Sequence, residues 1–284
     1  MRFRQPTAEL VIPDSTPLPE ALRRTTHLGV AAHPDDLEIM AIDGILQCFG
    51  SSDRWFCGVE VTDGGGSPQD DRHPSATADE MRQIRRKEQV KAAGIGEYGA
   101  LIMLDYPSAT VKNGPDRSLR DDLIEILSET RPEMVYTHNL ADKHDTHVAV
   151  ALHLIEAVRS LDPGLRPRRI YGCEVWRDLD WLVDADKTVF DVGRRKNLQA
   201  ALLGVFDSQI SRGKRYDLAV MGRRRAQATF LDSHAVDRSD AALFAMDLTP
   251  LAERDDLDIG VFVKAFLERF HRDVLDRIHL LSGN

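Results

Sequence analysis

The sequence predicts an α/β domain of the doubly wound type, with a mainly parallel sheet covered by helices on both faces. Short apolar runs alternate with longer amphipathic ones from Thr26 to at least Glu174, which implies right-handed crossovers between parallel strands. The 284 residues, 42% of them hydrophobic, supply ample material for a core, and no Ser/Gly linker or internal repeat divides them. Two of the expected strands also run straight into His/Asp-rich segments, and in such sheets ligands sit outside the carboxyl ends of the strands.

Residues 1–25 contain Pro6, Pro13, Pro17 and Pro19 and no apolar stretch of the signal-peptide kind. They read as an extended arm ahead of one domain over 26–284, packing on that domain or on a neighbouring subunit of a homo-oligomer. Leu28–Ala32 is a compact buried-strand candidate, followed by a helical stretch from Leu37 to Phe49. Trp55–Thr62 is the second strand and ends in Asp63-Gly64-Gly65-Gly66. Thr77 with Glu80 makes a capping box for a helix that buries Met81, Ile84, Val90 and Ala93 and stops near Gly94 or Gly96. Leu101–Leu104 is the third strand. Ser118 starts a helix carrying Leu119, Leu123, Ile126 and Leu127, closed by Arg131-Pro132. Met134–Thr137 is the fourth strand, and Thr146–Leu161 the next helix, ended by Asp162-Pro163-Gly164. The remainder, with a terminal helix over Ile259–Leu281, reads as a C-terminal elaboration.

A net charge of −9 argues against nucleic-acid or anionic-membrane binding, since both need clustered Lys and Arg. No stretch has the length of apolar sequence that a membrane span needs. The three cysteines, Cys48, Cys57 and Cys173, form no CxxC, so a reducing compartment, the cytoplasm, is expected.

The first polar cluster is His33-Pro34-Asp35-Asp36-Leu37-Glu38. Pro34 stiffens the turn out of the strand, and His33 and Asp36 can converge across it on one cation. Imidazole nitrogen with carboxylate oxygen suits Zn²⁺. Asp35 is then held near the metal, where it can take a proton from water. The plainer reading is a helix cap and a satisfied strand-end histidine.

The second cluster runs from His138 to His147. His144 and His147, three apart at a helix start, share a face. One binds metal while the other lies over the substrate, and the residues alone do not say which. His153 falls on another face, while His138 is a supporting partner or a strand-end residue. A zinc enzyme needs three protein ligands and an open position. His33, Asp36 and one of these histidines supply them from two adjacent strand ends.

Ala32-His33-Pro34-Asp35-Asp36-Leu37-Glu38 is similar to the AHPDD signature, with its downstream acid, of the LmbE-like/PIG-L family of zinc-dependent deacetylases, which act on N-acetylglucosaminyl conjugates. The resemblance continues through Val61-Thr62-Asp63-Gly64, Arg85-Arg86-Lys87-Glu88 leading into Ala92-Ala93-Gly94, the HxxH segment and Ser208-Gln209. It implies a Rossmann-like fold, one Zn²⁺ held by His33, Asp36 and His147, and a small amino-sugar substrate. It also implies Asp35 as general base and His144 as the group that stabilises the tetrahedral intermediate or protonates the leaving amine.

Three departures stand out. The family's HPDH becomes His144-Asp145-Thr146-His147, which leaves Asp145, Asp142 or another group to supply the hydrogen bond that orients the first histidine. Ala41-Ile42-Asp43-Gly44 retains one glycine of a glycine-rich stretch, and Ser108 stands where relatives place a substrate-binding acid. Ser108, Asp63 and Arg85 are the candidate substrate contacts, although Asp63–Gly66 reads better as a turn and Arg85-Arg86 as a solvated face. The basic residues Arg212, Lys214, Arg215 and Arg223-Arg224-Arg225 read as anion recognition or as exposed surface, and His234 has no spacing that requires it in a site. The competing functions are a phosphoester hydrolase, which commonly needs a second metal, and a non-catalytic sugar- or metal-binding module, which has no need of Asp35.

Overall fold

A computed structural model of the chain describes residues 1–65, 76–211 and 214–283. Its strands are β1 (Glu9–Val11), β2 (His27–Ala31), β3 (Phe56–Thr62), β4 (Ala100–Tyr106), β5 (Met134–His138), β6 (Arg169–Cys173), β7 (Thr188–Asp191) and β8 (Ala242–Asp247). The helices are α1 (Leu18–Arg23), α2 (Asp36–Met40), α3 (Ile42–Cys48), α4 (Ala78–Ile95), α5 (Ser108–Val111) and α6 (Ser118–Thr130). They continue with α7 (Asp145–Arg159), α8 (Lys196–Gly204), α9 (Asp207–Ile210), α10 (Tyr216–Phe230), α11 (Thr249–Glu253) and α12 (Ile259–Ser282).

The strands form one sheet in the order β1-β4-β3-β2-β5-β6-β8-β7. The central run β4-β3-β2-β5-β6 is parallel, and antiparallel strands close both edges. Alternation along β2 turns Leu28 and Val30 to one core and Ala31 to the other. The first core holds the apolar stripes of α6 and α7; the second holds those of α2, α3 and α8 with Ala92 and Ala93 of α4. Chain order reverses direction across the sheet between β2 and β5, so a crevice opens at their carboxyl ends.

Residues 1–25 pack on the domain that follows them, with a strand and a helix of their own. Within them β1 pairs with β4 in register Leu10–Ile102, and α1 buries Ala21 and Leu22. The helix expected over Leu37–Phe49 is two helices, broken at Ala41 (φ −101°, ψ 18°). At the break, the buried Arg224 guanidinium donates to the carbonyls of Glu38 and Ile39, 2.9 and 3.0 Å away. That partner lies 185 residues along the chain, which is why no local pattern announces the break. The Thr77–Glu80 capping box opens α4 as expected. Its buried face, however, carries Arg85, Glu88 and Gln89 beside Met81, because this face looks onto a polar site rather than only a core. Among the described residues no helix is long and apolar enough to cross a membrane.

Candidate functional site

β2 ends into the His33–Asp36 turn, where Asp35 has φ +80°, a left-handed conformation rare for a residue with a side chain. Several contacts hold it there. The Asp35 N–H donates to Gln89 Oε1 at 3.3 Å, and Gln209 Nε2 donates to the Pro34 carbonyl at 3.1 Å. Gly64, at φ +64°, packs so closely that a Cβ there would lie 3.2 Å from both Pro34 Cγ and Arg85 Cδ. Gly66 and Arg212 lie outside the described residues.

The side chains of the two strand ends converge. His33 Nδ1, Asp36 Oδ2 and His147 Nε2 form a triangle with sides of 3.2, 3.1 and 3.2 Å. Ligand atoms around a tetrahedral zinc, at about 2.0–2.1 Å from the ion, stand roughly 3.3 Å apart, so this donor set fits the ion in chemistry and in spacing. His144 belongs to the same cluster, as does His138. The Nε2 of His138, however, already accepts the Ala32 N–H at 2.9 Å, and its ring stacks on His147 at 3.8 Å. That bond spends the lone pair and makes His138 a support for the ring of His147. His153 is a satisfied core histidine, its Nε2 lying 3.0 Å from the Val111 carbonyl.

The field at this cluster favours a cation. Burial opposes ionisation of Asp36, but His147, His33 and His138 hold its carboxyl well below the usual carboxylate range. Burial likewise opposes charge on His147, yet Asp36 and Asp142 raise its pKa to about 9. Asp35 behaves oppositely: burial, then Asp36 and Glu38, push its carboxyl well above the ordinary value. Burial, with His147 and His33, lowers the pKa of His144, so its imidazole is neutral near pH 7.

Asp142 is the acid that approaches His147, with Oδ2 3.5 Å from Nδ1. It also accepts the backbone N–H of His144 at 2.9 Å and of Trp176 at 3.1 Å. Asp145 is exposed in the first turn of α7. Glu38 accepts from Tyr98 Oη at 2.7 Å and from Gln89 Nε2 at 2.9 Å, which completes a buried chain running to Asp35. Burial pushes the Glu38 carboxyl up to about 7. Ser208 gives its hydroxyl and N–H to Glu88, which fixes Gln209 beside Pro34.

A cavity of about 260 Å³ opens onto His33, Asp35, Asp36 and His144. Its other walls are mostly apolar, including Ile39, Val175, Trp176 and Val220, with Arg223 at one side. The expected substrate contacts do not line it. Asp63 borders a separate acidic cavity with Glu60 and Asp105, and its Oδ1 accepts the Gly65 N–H at 2.9 Å. Arg85 is buried rather than on a solvated face, and donates to the Gly64 carbonyl. Ser108 begins α5, apart from the cavity lining. His234 borders an unrelated surface hollow. Trp176 and Tyr216 follow the fourth strand at irregular spacing and carry no sequence signal as cavity residues, whereas Arg223 belongs to the basic run that the sequence offers for anion recognition.

Residues 28–158 match the sequence profile of the PIG-L family, described as GlcNAc-PI de-N-acetylase. No curated protein matches the chain. Among solved structures, N,N'-diacetylchitobiose deacetylase from Pyrococcus horikoshii is similar at TM-score 0.62 and 20% identity, covering 81% of this chain and 86% of that one. The 4-carboxy-2-hydroxymuconate hydratase GalB from Pseudomonas putida is similar at TM-score 0.61 and 18% identity, with 79% and 96% covered. The conserved protein TT1542 from Thermus thermophilus is similar at TM-score 0.59 and 19% identity, with 79% and 94% covered. At these identities the likeness is one of fold.

Proposed function

We propose that the chain, whose residues 28–158 match the PIG-L family profile, is a zinc-dependent hydrolase that removes an N-acetyl or similar acyl group from an amino sugar or its conjugate. The observation that carries this reading is the triangle of His33, Asp36 and His147, with sides of 3.1–3.2 Å, beside Asp35 at the end of an accessible cavity. The family's description and the deacetylase of like fold support the amide and the sugar.

An amide resists hydrolysis because water is a weak nucleophile and an amine a poor leaving group. Zinc, when bound by His33, Asp36 and His147, polarises the acyl oxygen and lowers the pKa of water towards ~7. Asp35 accepts the proton that water gives up as its oxygen bonds to the acyl carbon. Its raised proton affinity suits a group that keeps this proton until the carbon–nitrogen bond breaks, then hands it to the amine. His144, neutral and in the same cavity, offers an N–H to the oxygen that gains negative charge. The products are a carboxylate and a free amino sugar. Asp142 keeps the ring of His147 in the orientation the metal requires.

The test combines metal analysis with acetate release from N-acetylglucosamine, its phosphates, its glycosides and short chitooligosaccharides. One zinc per chain and release from at least one of them is expected. Zinc-loaded protein that releases acetate from none of these overturns the reading. The hydratase of like fold makes acetate release, rather than metal content, the deciding measurement.

A further inference from the structure

The basic run near the start of α10 separates, residue by residue, into used and unused charges. Arg215 pairs with Asp217 through two bonds of 2.9 and 2.7 Å, and Arg225 reaches Asp237 at 2.7 Å. Arg224 is buried against the carbonyls at the α2–α3 break. Arg223 and Lys214 remain. Among the described residues neither has a carboxylate within ion-pair distance, in a chain whose net charge is −9.

Arg223 lines the cavity that holds His33, Asp35 and His144, and Lys214 lies over Trp176, one of its walls. Tyr216, Ala219, Val220 and Arg223 recur at helical spacing, so one face of α10 forms a cavity wall. Arg223 Nη1 donates to the Val175 carbonyl at 2.6 Å, which anchors the guanidinium beside Trp176 and leaves its remaining N–H groups for another acceptor. The Lys214 ammonium lies 4.8 Å from the centre of the Trp176 ring. The cavity lining thus combines the polar groups of His33, Asp35 and His144 with apolar side chains and the Arg223 cation. Apolar walls weaken the screening of a charge, so an anion meeting Arg223 there is attracted more strongly than at open surface.

We propose that Arg223, assisted by Lys214, selects amino-sugar substrates that carry an anionic substituent, a phosphate monoester or a carboxylate. The planar guanidinium fork matches the oxygens of either group. This inference rests on the hydrolase reading and deepens it.

The experiment measures binding to the zinc-loaded chain by calorimetry, with product-like ligands that need no turnover. These are glucosamine, glucosamine 1-phosphate, glucosamine 6-phosphate and muramic acid, the last bearing a carboxylate. At least one anionic ligand should bind about 10-fold tighter than glucosamine, the size of one charge-assisted contact. The preference should shrink at high salt, vanish in Arg223→Gln and survive in part in Arg223→Lys. Which ligand gains most tells phosphate from carboxylate. Equal affinities for neutral and anionic ligands, or an unchanged preference in Arg223→Gln, overturn the proposal. Acetate release from the matching N-acetyl sugars is followed in parallel. Release without anion preference leaves the hydrolase and removes the anion site; an Arg223-dependent preference without any release does the reverse.

Discussion

Asp35 combines a strained backbone, a buried carboxyl and neighbours that raise its proton affinity. A left-handed residue of this kind persists only where its surroundings over-determine it, here through Gln89, Gln209 and the close packing of Gly64. Asp35→Asn preserves shape and removes the proposed base. It should keep zinc at wild-type stoichiometry while kcat falls about 10²–10⁴-fold; activity near wild type would remove Asp35 from the chemistry. Asp142→Ala should act the other way round. It takes away the acid beside His147 and two backbone acceptor bonds, so zinc affinity should fall about 10–100-fold in a competitive chelator titration. Zinc affinity equal to that of the parent would mean that the 3.5 Å approach does not orient the ring.

At the scale of elements, the height of α2 above the sheet sets where Asp36 lies. Leu37 rests directly on Gly29 and Gly58; a Cβ on Gly29 would stand 2.7 Å from Leu37 Cδ2 and 2.8 Å from Phe56 Cζ. Gly29→Ala should therefore lift α2, lose about 1–3 kcal/mol in urea unfolding, and weaken zinc binding together with stability. Gly94 makes the contrast, since its Cβ would meet nothing within 4 Å in α4. Gly94→Ala should leave zinc binding alone and add up to about 1 kcal/mol, the helix preference for alanine. If Gly29→Ala unfolds like the wild type, the close approach of α2 is relieved elsewhere. The expectation of one helix over Leu37–Phe49 failed at this same scale. Periodicity carried through Ala41, but carbonyls there turn to Arg224 from the far end of the chain.

At the scale of the whole molecule, His27 ties the sheet to acid. It is buried at the start of β2, stacks on Tyr136 at 6.3 Å, and burial, with Arg54 nearby, lowers its pKa to about 4. The unfolded chain therefore binds a proton between about pH 6.5 and 4 that the folded chain does not. Its contribution to stability is complete above the unfolded value and is lost as pH falls towards the folded one. Between pH 7.5 and 5 the loss amounts to about 2 kcal/mol by linkage. His27→Gln should flatten the pH dependence of urea unfolding by that amount; equal slopes in both proteins would locate the acid sensitivity elsewhere.

The sheet and the strand-end motifs were legible because they are local. Two-residue and 3.6-residue periods, a capping box and a proline turn are written in consecutive residues, and they sufficed to name His33, Asp36, His144 and His147 as neighbours across adjacent strand ends. Sequence also posed the choice between Asp142 and Asp145, but only the loop's path brings Asp142 to His147 and leaves Asp145 exposed. Gln89 and Trp176 carry no local signal, since they act through contacts with residues distant along the chain; Gln209 and Arg223 stood in segments the sequence singles out, but their partners Pro34 and Val175 are equally distant. Burial alone turns Arg85 and Arg224 from surface charges into inner supports. Four central parallel strands and the donor types at their carboxyl edge follow from the sequence, because short-range backbone preferences act before the chain closes; β1 and the β6-β8-β7 side do not. Packing decides which donors meet and which charges among the described residues stay unpaired, because a single contact between distant segments forms only when the packed core has set their separation.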